Sequence, residues 1–344
     1  MARIFTESFE GDHLLQWSGT RGSGYSLFTT PTIDGAYSAR GNGNIFDSVA
    51  IYYVLSSSLT EAYVGFFVRN NFPGSAWKNG QPFFELCNGT NQLVGLYTDG
   101  TNKLNITLNN SGTVACTGTK ILSDATIYHI QLYAKIHSST GVVTAKIDDT
   151  QECTFTGNTD PGARTNFDNF CLGSRSQLSE IQYFCDSLVV NDTTGSTDNS
   201  WPGIVRFIAK VVQGPGAYVN NWSRNTGANN WDCVEEIPPD NDTTYLFTSS
   251  ASTYESFSMN NPVISFANFR ALRTMAVVKK DTGTVKLAVG IRDLDNNTDY
   301  YSAAQDVGTS YVMVQDRRTL DPSTSLSWTQ AGLGNVQALI ISSG

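Results

Sequence analysis

Short runs rich in Val, Ile, Tyr and Phe recur along the whole chain, and each stops at a cluster of Asn, Gly, Ser or Asp. Runs of that kind pack as strands, and clusters of that kind turn the chain. The clearest run is Thr126 to Ile136. There Ile130, Leu132, Ala134 and Ile136 alternate with Gln131, Tyr133 and Lys135, the period of a strand with one buried face. Ser138-Ser-Thr-Gly turns the chain, and Val142 to Asp148 returns as the hairpin partner. No segment carries the apolar period of a three-turn helix. A chain of 344 residues with this pattern throughout builds β-sandwiches.

Other strands read the same way: Phe46 to Leu55, Leu59 to Arg69, Pro82 to Cys87, Leu93 to Tyr97 and Leu104 to Leu108. Phe167 to Ser174 and Ile181 to Val190 read as two adjacent strands joined by a polar loop. After Val190 the apolar residues stop, and Asn191 to Asn199 is rich in turn formers before Trp201-Pro-Gly. The pattern predicts a domain over 1–195, a linker over 196–202 and a second domain over 203–344. The second would open on a strand at Ile204 to Val212 and continue with strands at Val263–Phe266, Arg270–Lys279, Val285–Arg292, Ser310–Gln315 and Val336–Ile341. The fold class is all-β, two sandwiches in tandem.

Composition narrows the partners. The net charge is −9, which disfavours a nucleic-acid backbone, whose binding needs basic surface. No stretch approaches the 18 or so apolar residues of a membrane-spanning helix. Met1 to Glu10 lacks an apolar run, so no signal peptide is expected. Charged residues are only 15% of the chain, so Asn, Thr, Ser and Gly must supply the polar surface, a surface suited to contact with other subunits or to a lectin.

Gly173-Ser174 at one strand end, then Phe184-Cys-Asp-Ser-Leu-Val-Val190, then Asn191-Asp192, resembles the closing strands of a concanavalin A-like jelly roll of the laminin G/pentraxin type. The resemblance implies that the closing strand lies beside Arg3 to Glu10. It also makes Asp186 a calcium candidate, since related lectin domains place an acidic residue near calcium there. No other cofactor is implied. Glucanases on that fold carry Glu-x-Asp-x-x-Glu on one strand, and this chain has no such spacing. Glu235-Glu236 and Asp148-Asp149 are adjacent, so a strand would point each pair to opposite faces, and both read as solvated or turn-forming. His13, His129 and His137 fit no zinc or hydrolytic motif.

Asn191-Asp-Thr-Thr-Gly-Ser, Asn199-Ser-Trp-Pro-Gly, Trp222-Ser-Arg and Pro239-Asp-Asn-Asp-Thr-Thr-Tyr together resemble structural proteins of tailed-bacteriophage virions, in which a jelly roll is bridged to a C-terminal β domain. That resemblance implies a non-enzymatic virion protein that decorates or cements a capsid or forms part of a tail or fibre. It would assemble in the host cytoplasm against other virion proteins, as a homo-oligomer, a trimer first of all. A lectin-like module for cell-surface glycan is the alternative, and a glycoside hydrolase a distant third. Trp77, in the loop Phe72 to Gly80, is the candidate to stack on a glycan. Trp222, Arg224 and Trp231, in the loop from Gly214, are the candidates for a subunit interface. The six cysteines fit no paired zinc spacing and are expected as free thiols, with Cys171 and Cys185 the pair most exposed to bridging.

Overall fold

A computed structural model describes residues 3–11, 14–22, 24–43, 50–70, 77, 79–80, 82–109, 113–160, 162–174, 181–237, 239–261 and 269–343. The expected strand Val263–Phe266, like His13, lies outside them. The chain divides into two compact units, Met1–Phe207 and Ile208–Gly344.

The strands of the first unit, in order, are β1 (Arg3–Glu7), β2 (Gly19–Arg21), β3 (Tyr25–Phe28), β4 (Ser38–Gly43), β5 (Ala50–Leu59), β6 (Glu61–Asn70), β7 (Pro82–Asn88) and β8 (Asn91–Thr98). They continue as β9 (Lys103–Leu108), β10 (Thr113–Ile121), β11 (Ile127–Lys135), β12 (Gly141–Ile147), β13 (Thr150–Gly157), β14 (Phe167–Gly173) and β15 (Ile181–Asn191). One sheet runs β13-β12-β11-β6-β15-β4-β3, with β1 also on β15; the other runs β10-β9-β8-β7-β14-β5-β2. Each alternates. Ala62, Val64, Phe66 and Val68 of β6 face Phe84, Leu86, Phe170 and Leu172 of the second sheet in one continuous core. The closing strand does pair with the first, Phe5 opposite Val190 and Glu7 opposite Leu188.

Two expectations fail here. β14 and β15 are not neighbours: β14 pairs with β5 and β7, and β15 with β1, β4 and β6, in opposite sheets. Cys171 and Cys185 are therefore on different sheets. Residues 204–211 form no strand, and two of their amides are held by side chains: Phe207 N donates to Asp34 Oδ2 (3.0 Å) and Val211 N to Asn260 Oδ1 (2.9 Å).

The stretch read as a linker lies on the first unit. Arg3 Nη2 meets Asp198 Oδ1 at 2.9 Å, and Asn191 Nδ2 donates to Ser200 O. Trp201 stands edge-on to Tyr63 (5.4 Å) with the Lys146 ammonium 3.9 Å from its ring centre. Gly203 N donates to Gln131 Oε1, and the Arg206 guanidinium sits 4.3 Å over Phe67.

The second unit contains β16 (Val212–Pro215), β17 (Ser223–Arg224), β18 (Leu246–Phe247), β19 (Tyr254–Met259), β20 (Leu272–Val278), β21 (Lys286–Asp293), β22 (Thr298–Tyr301), β23 (Gln305–Asp306), β24 (Val312–Arg318) and β25 (Val336–Ser343). The main sheet runs β16-β19-β25-β21-β22, with β23 also on β21; β17-β18 and β20-β24 are two-stranded ribbons. Leu287 and Val289 of the main sheet bury against Val314 and Trp222, with Ala276 and Val278 of the β20-β24 ribbon packed on them. One five-residue helix, Gln330–Gly334, begins at Thr329, whose side chain accepts from Gly332 N. Both units are all-β, as the alternation predicts.

Candidate functional site

Strand β21 alternates two faces. Leu287, Val289 and Ile291 enter the core, while Ala288, Gly290 and Arg292 point to the other side. On that other side Ala288, Leu339 and Ile341 form an apolar floor, and Tyr218 and Tyr254 pack over it. Tyr254 is placed by β19, opposite Ile341, and Tyr301 by β22, opposite Gly290. A Cβ on Gly290 would fall 2.0 Å from Tyr300 O, so only glycine lets β22 approach this closely. Tyr218 and Tyr254 have ring centroids 5.4 Å apart, and Tyr301 is 47% exposed.

A fixed polar group borders the rings. Tyr218 Oη donates to Asp299 Oδ2 (2.8 Å), and Arg292 Nη1 donates both to Asp299 Oδ1 (2.7 Å) and to Tyr218 Oη (2.9 Å). The guanidinium carbon lies 4.8 Å from the Tyr218 ring centre, and Arg292 Nε is buried with no hydrogen-bond partner. The hydrogen bond to the Asp299 carboxylate pushes the Tyr218 hydroxyl above its ordinary value, with burial adding to it. Gln337 Oε1 accepts from Ala217 N (2.8 Å) and Ser256 Oγ (3.1 Å), and Tyr218 N donates to Ser256 Oγ. These bonds clamp 216–218 on β19, so Tyr218 is held by its backbone and by its hydroxyl.

Beyond Tyr218 the same segment turns into a cleft of about 260 Å³ lined by Pro215, Val219, Asn220, Asn229 and Trp231, with Glu255 at its base. Glu255 is 1% exposed and accepts from Asn220 N, Asn221 N, Trp222 N and Asn230 Nδ2 at 2.8–3.1 Å. A carboxylate with four donors is a structural anchor for the loop.

The residues singled out in the sequence are dispersed. Trp77 is 3% exposed, its Nε1 donates to Ser123 O, and its ring meets Phe83 edge-on, so it offers no face to a glycan. Trp222 is buried in the second unit's core and cannot anchor a subunit contact. Arg224 is exposed but occupied within its own loop, by Gly227 O and Asn230 Oδ1. Trp231 is half-buried in the cleft. Asp186 is 1% exposed, and its oxygens accept from Ser38 Oγ, Asp34 N and Ser187 N, so it serves as a buried hydrogen-bond acceptor for these three groups. Burial pushes its carboxyl up to about 8.

The adjacent carboxylates act as turn formers. Asp148 and Asp149 both have positive φ, and they accept from His129 N and Gln131 Nε2. Glu236 accepts from Thr244 Oγ1. Among the described residues, the one group of three metal-ligand side chains is Glu85, Cys87 and Cys171, all buried. Glu85 Oε2 accepts from both thiols at 3.7 and 3.6 Å, and its Oε1 accepts from Tyr97 Oη and Ser174 Oγ.

Sequence reasoning missed Tyr218, Tyr254, Tyr301, Arg292 and Asp299. Up to 83 residues separate them, and each alone reads as an ordinary strand or turn residue. The available signal was the pair Ala288 and Gly290, small residues that leave room above one face, next to Arg292 in the same row.

No protein-family model matches the sequence, and no curated protein is similar to it. Solved structures are similar at low level. The cellulose-induced protein Cip1 is 10% identical, over 58% of this chain and 100% of its own, at a TM-score of 0.43. Domain 4 of AbnA, a GH43 extracellular arabinanase from Geobacillus stearothermophilus, in complex with arabinotriose, is 16% identical, over 56% of this chain and 92% of its own, at 0.40. A carbohydrate esterase from the Shiga toxin-encoding bacteriophage phi24B is 14% identical, over 55% and 97%, at 0.40. Similarity at this level bears on neither activity nor ligand.

Proposed function

We propose that this protein binds a neutral saccharide on the tyrosine face of its second unit, without acting on it chemically. The observation that carries the reading is the triad of Tyr218, Tyr254 and Tyr301 over an apolar floor, bordered by the fixed Arg292–Asp299 pair. A pyranose or furanose has an apolar C–H face and a rim of hydroxyls. Aromatic rings match the first, and a planar guanidinium beside a carboxylate matches the second. The polar groups are held before any ligand arrives, which lowers the ordering cost of binding. The net charge of −9 favours a neutral ligand over a polyanion. The cleft beside Tyr218, about 260 Å³, is below the size range of drug-like sites and suits a single ring or branch. For the non-enzymatic part, Asp299 and Glu255 are already engaged by donors, whereas glycoside cleavage uses two carboxyl groups facing one bond.

Titration calorimetry against a panel of neutral oligosaccharides tests this. One class should bind, and Tyr301→Ala should weaken it roughly tenfold while the protein stays folded. An unchanged affinity in that variant, or no binding across the panel at millimolar sugar, sinks the reading.

A second reading, the virion structural role implied by the sequence, is favoured by one observation. Phe247 of β18 and Tyr245, just before that strand, are 48% and 41% exposed, with rings 6.1 Å apart. Exposed paired aromatics suit a contact with other virion proteins or further copies of the chain, a trimer first of all. Phe247→Ser should then lower the assembled mass in light scattering. A monomer also missing from purified virions removes this reading.

A further inference from the structure

We propose that Cys116 and Cys153 are a disulfide site, a covalent clip that closes one edge of the first unit's sandwich. β10 ends one sheet and β13 ends the other, so no backbone ladder joins them. Side chains do. Glu152 Oε2 of β13 accepts from Thr119 N, Thr119 Oγ1 and Lys120 N of β10 at 2.8–3.0 Å, and Lys120 Nζ reaches Asp148 at 2.7 Å. One step along the same seam, Cys116 Sγ and Cys153 Sγ lie 2.7 Å apart. Non-bonded carbon atoms rest about 3.5–4.0 Å apart, and sulfur is larger. A disulfide spans about 2.05 Å. The two sulfurs are thus nearer to bonding distance than to ordinary contact.

The pairing is selective. All six cysteines are thiols in this structure, but the others have different partners. Cys87 and Cys171 both donate to Glu85, Cys185 donates to Ala39 O, and Cys233 to Thr226 O. Cys116 is half-buried and Cys153 is 8% exposed, so an oxidant reaches Cys116 first. The contact with the Cys153 sulfur holds the Cys116 thiol below its ordinary value, which favours its thiolate.

The oxidant is a low-molecular-weight disulfide such as oxidised glutathione. The Cys116 thiolate attacks one of its sulfurs, forming a mixed disulfide and releasing one glutathione thiolate. Cys153 then loses its proton to solvent and attacks the Cys116 sulfur, releasing the second glutathione. Two protein thiols lose two electrons and two protons, and one glutathione disulfide becomes two glutathione thiols. The bond links residues 37 apart, so it restricts the unfolded chain, and it should raise the first unit's thermal midpoint by on the order of 10 °C.

The full-length protein is equilibrated with glutathione buffers of graded ratio, alkylated, denatured and digested with trypsin. Cys116 falls in peptide 104–120 and Cys153 in peptide 147–164. The expected result is a cross-linked 104–120/147–164 species that dithiothreitol abolishes, together with a calorimetric midpoint that falls on reduction. Cys116→Ser and Cys153→Ser should each remove both the species and the shift. Separate alkylation of both cysteines at every ratio overturns the proposal, as does a reduction-sensitive midpoint that survives in either variant. Calorimetry of each variant under reducing conditions checks folding. If one serine variant does not fold, Cys116→Ala replaces it in the same readouts.

Discussion

Trp77, Trp222 and Tyr301 carry similar rings, yet only Tyr301 leaves half of its surface to solvent. Their neighbours explain the difference. Trp77 and Trp222 have indole N–H groups that find backbone carbonyls, Ser123 O and Thr253 O, which lets them bury. Asp186 sets a pH dependence. Its folded value, about 8, is above the unfolded carboxylate range because burial disfavours its charge. A raised acid holds its proton in the folded state, so its contribution is fully present below about pH 4 and is lost as pH rises through about 8. The unfolding free energy should fall across that window by up to about 1.4 kcal/mol per pH unit, seen as a falling thermal midpoint, and Asp186→Asn should flatten the fall. An equal slope in the variant would show that other groups set it. Glu85 is a second buried carboxylate, and it accepts from two hydroxyls and two thiols. Glu85→Ala removes the acceptor these four donors share and should cost roughly 2–4 kcal/mol, read by denaturant unfolding.

Among elements, β22 shows how one backbone contact positions a site. It carries Asp299 and Tyr301, and its ladder to β21 passes Gly290 at a distance that no side chain tolerates. Gly290→Ala should push β22 outward. The proposed saccharide binding should then be lost with a lower midpoint for the second unit, while the first unit's transition stays in place. An unaltered affinity would show that β22 does not position the site. The misreading of β14 and β15 also belongs to this scale. A short polar connection reads as a hairpin, but in a sandwich it can equally cross from one sheet to the other. Which ladder each strand joins depends on partners more than 80 residues away: Phe170 opposite Leu86, and Phe184 opposite Arg69.

For the molecule as a whole, the division after Phe207 matters more than the turn-rich stretch before Trp201. Asn191 to Asn199 has the composition of a linker, yet Arg3 holds Asp198 within it, and Lys146 and Gln131 hold Trp201 and Gly203 just after it, to the first unit. Limited proteolysis should release an N-terminal fragment that extends to about residue 207, with 196–202 protected. Trp201→Ala removes the ring that packs on Tyr63 and carries Lys146, and should expose that stretch to cleavage. Cutting within 196–202 of the unaltered protein would show that these contacts do not hold in solution.

The alternation of apolar and polar residues determined the all-β class and most strand positions, because side-chain period and burial are local consequences of sequence, whereas the pairing of the first strand with the closing one followed from the jelly-roll resemblance. The core row of β11 and its hairpin with β12 were legible for that reason. The tertiary structure alone decided which aromatics stay exposed, which carboxylates are already satisfied, and which residues form a site. Tyr218, Tyr254, Arg292, Asp299 and Tyr301 meet because a sheet brings four separate segments side by side, and no local pattern encodes that meeting.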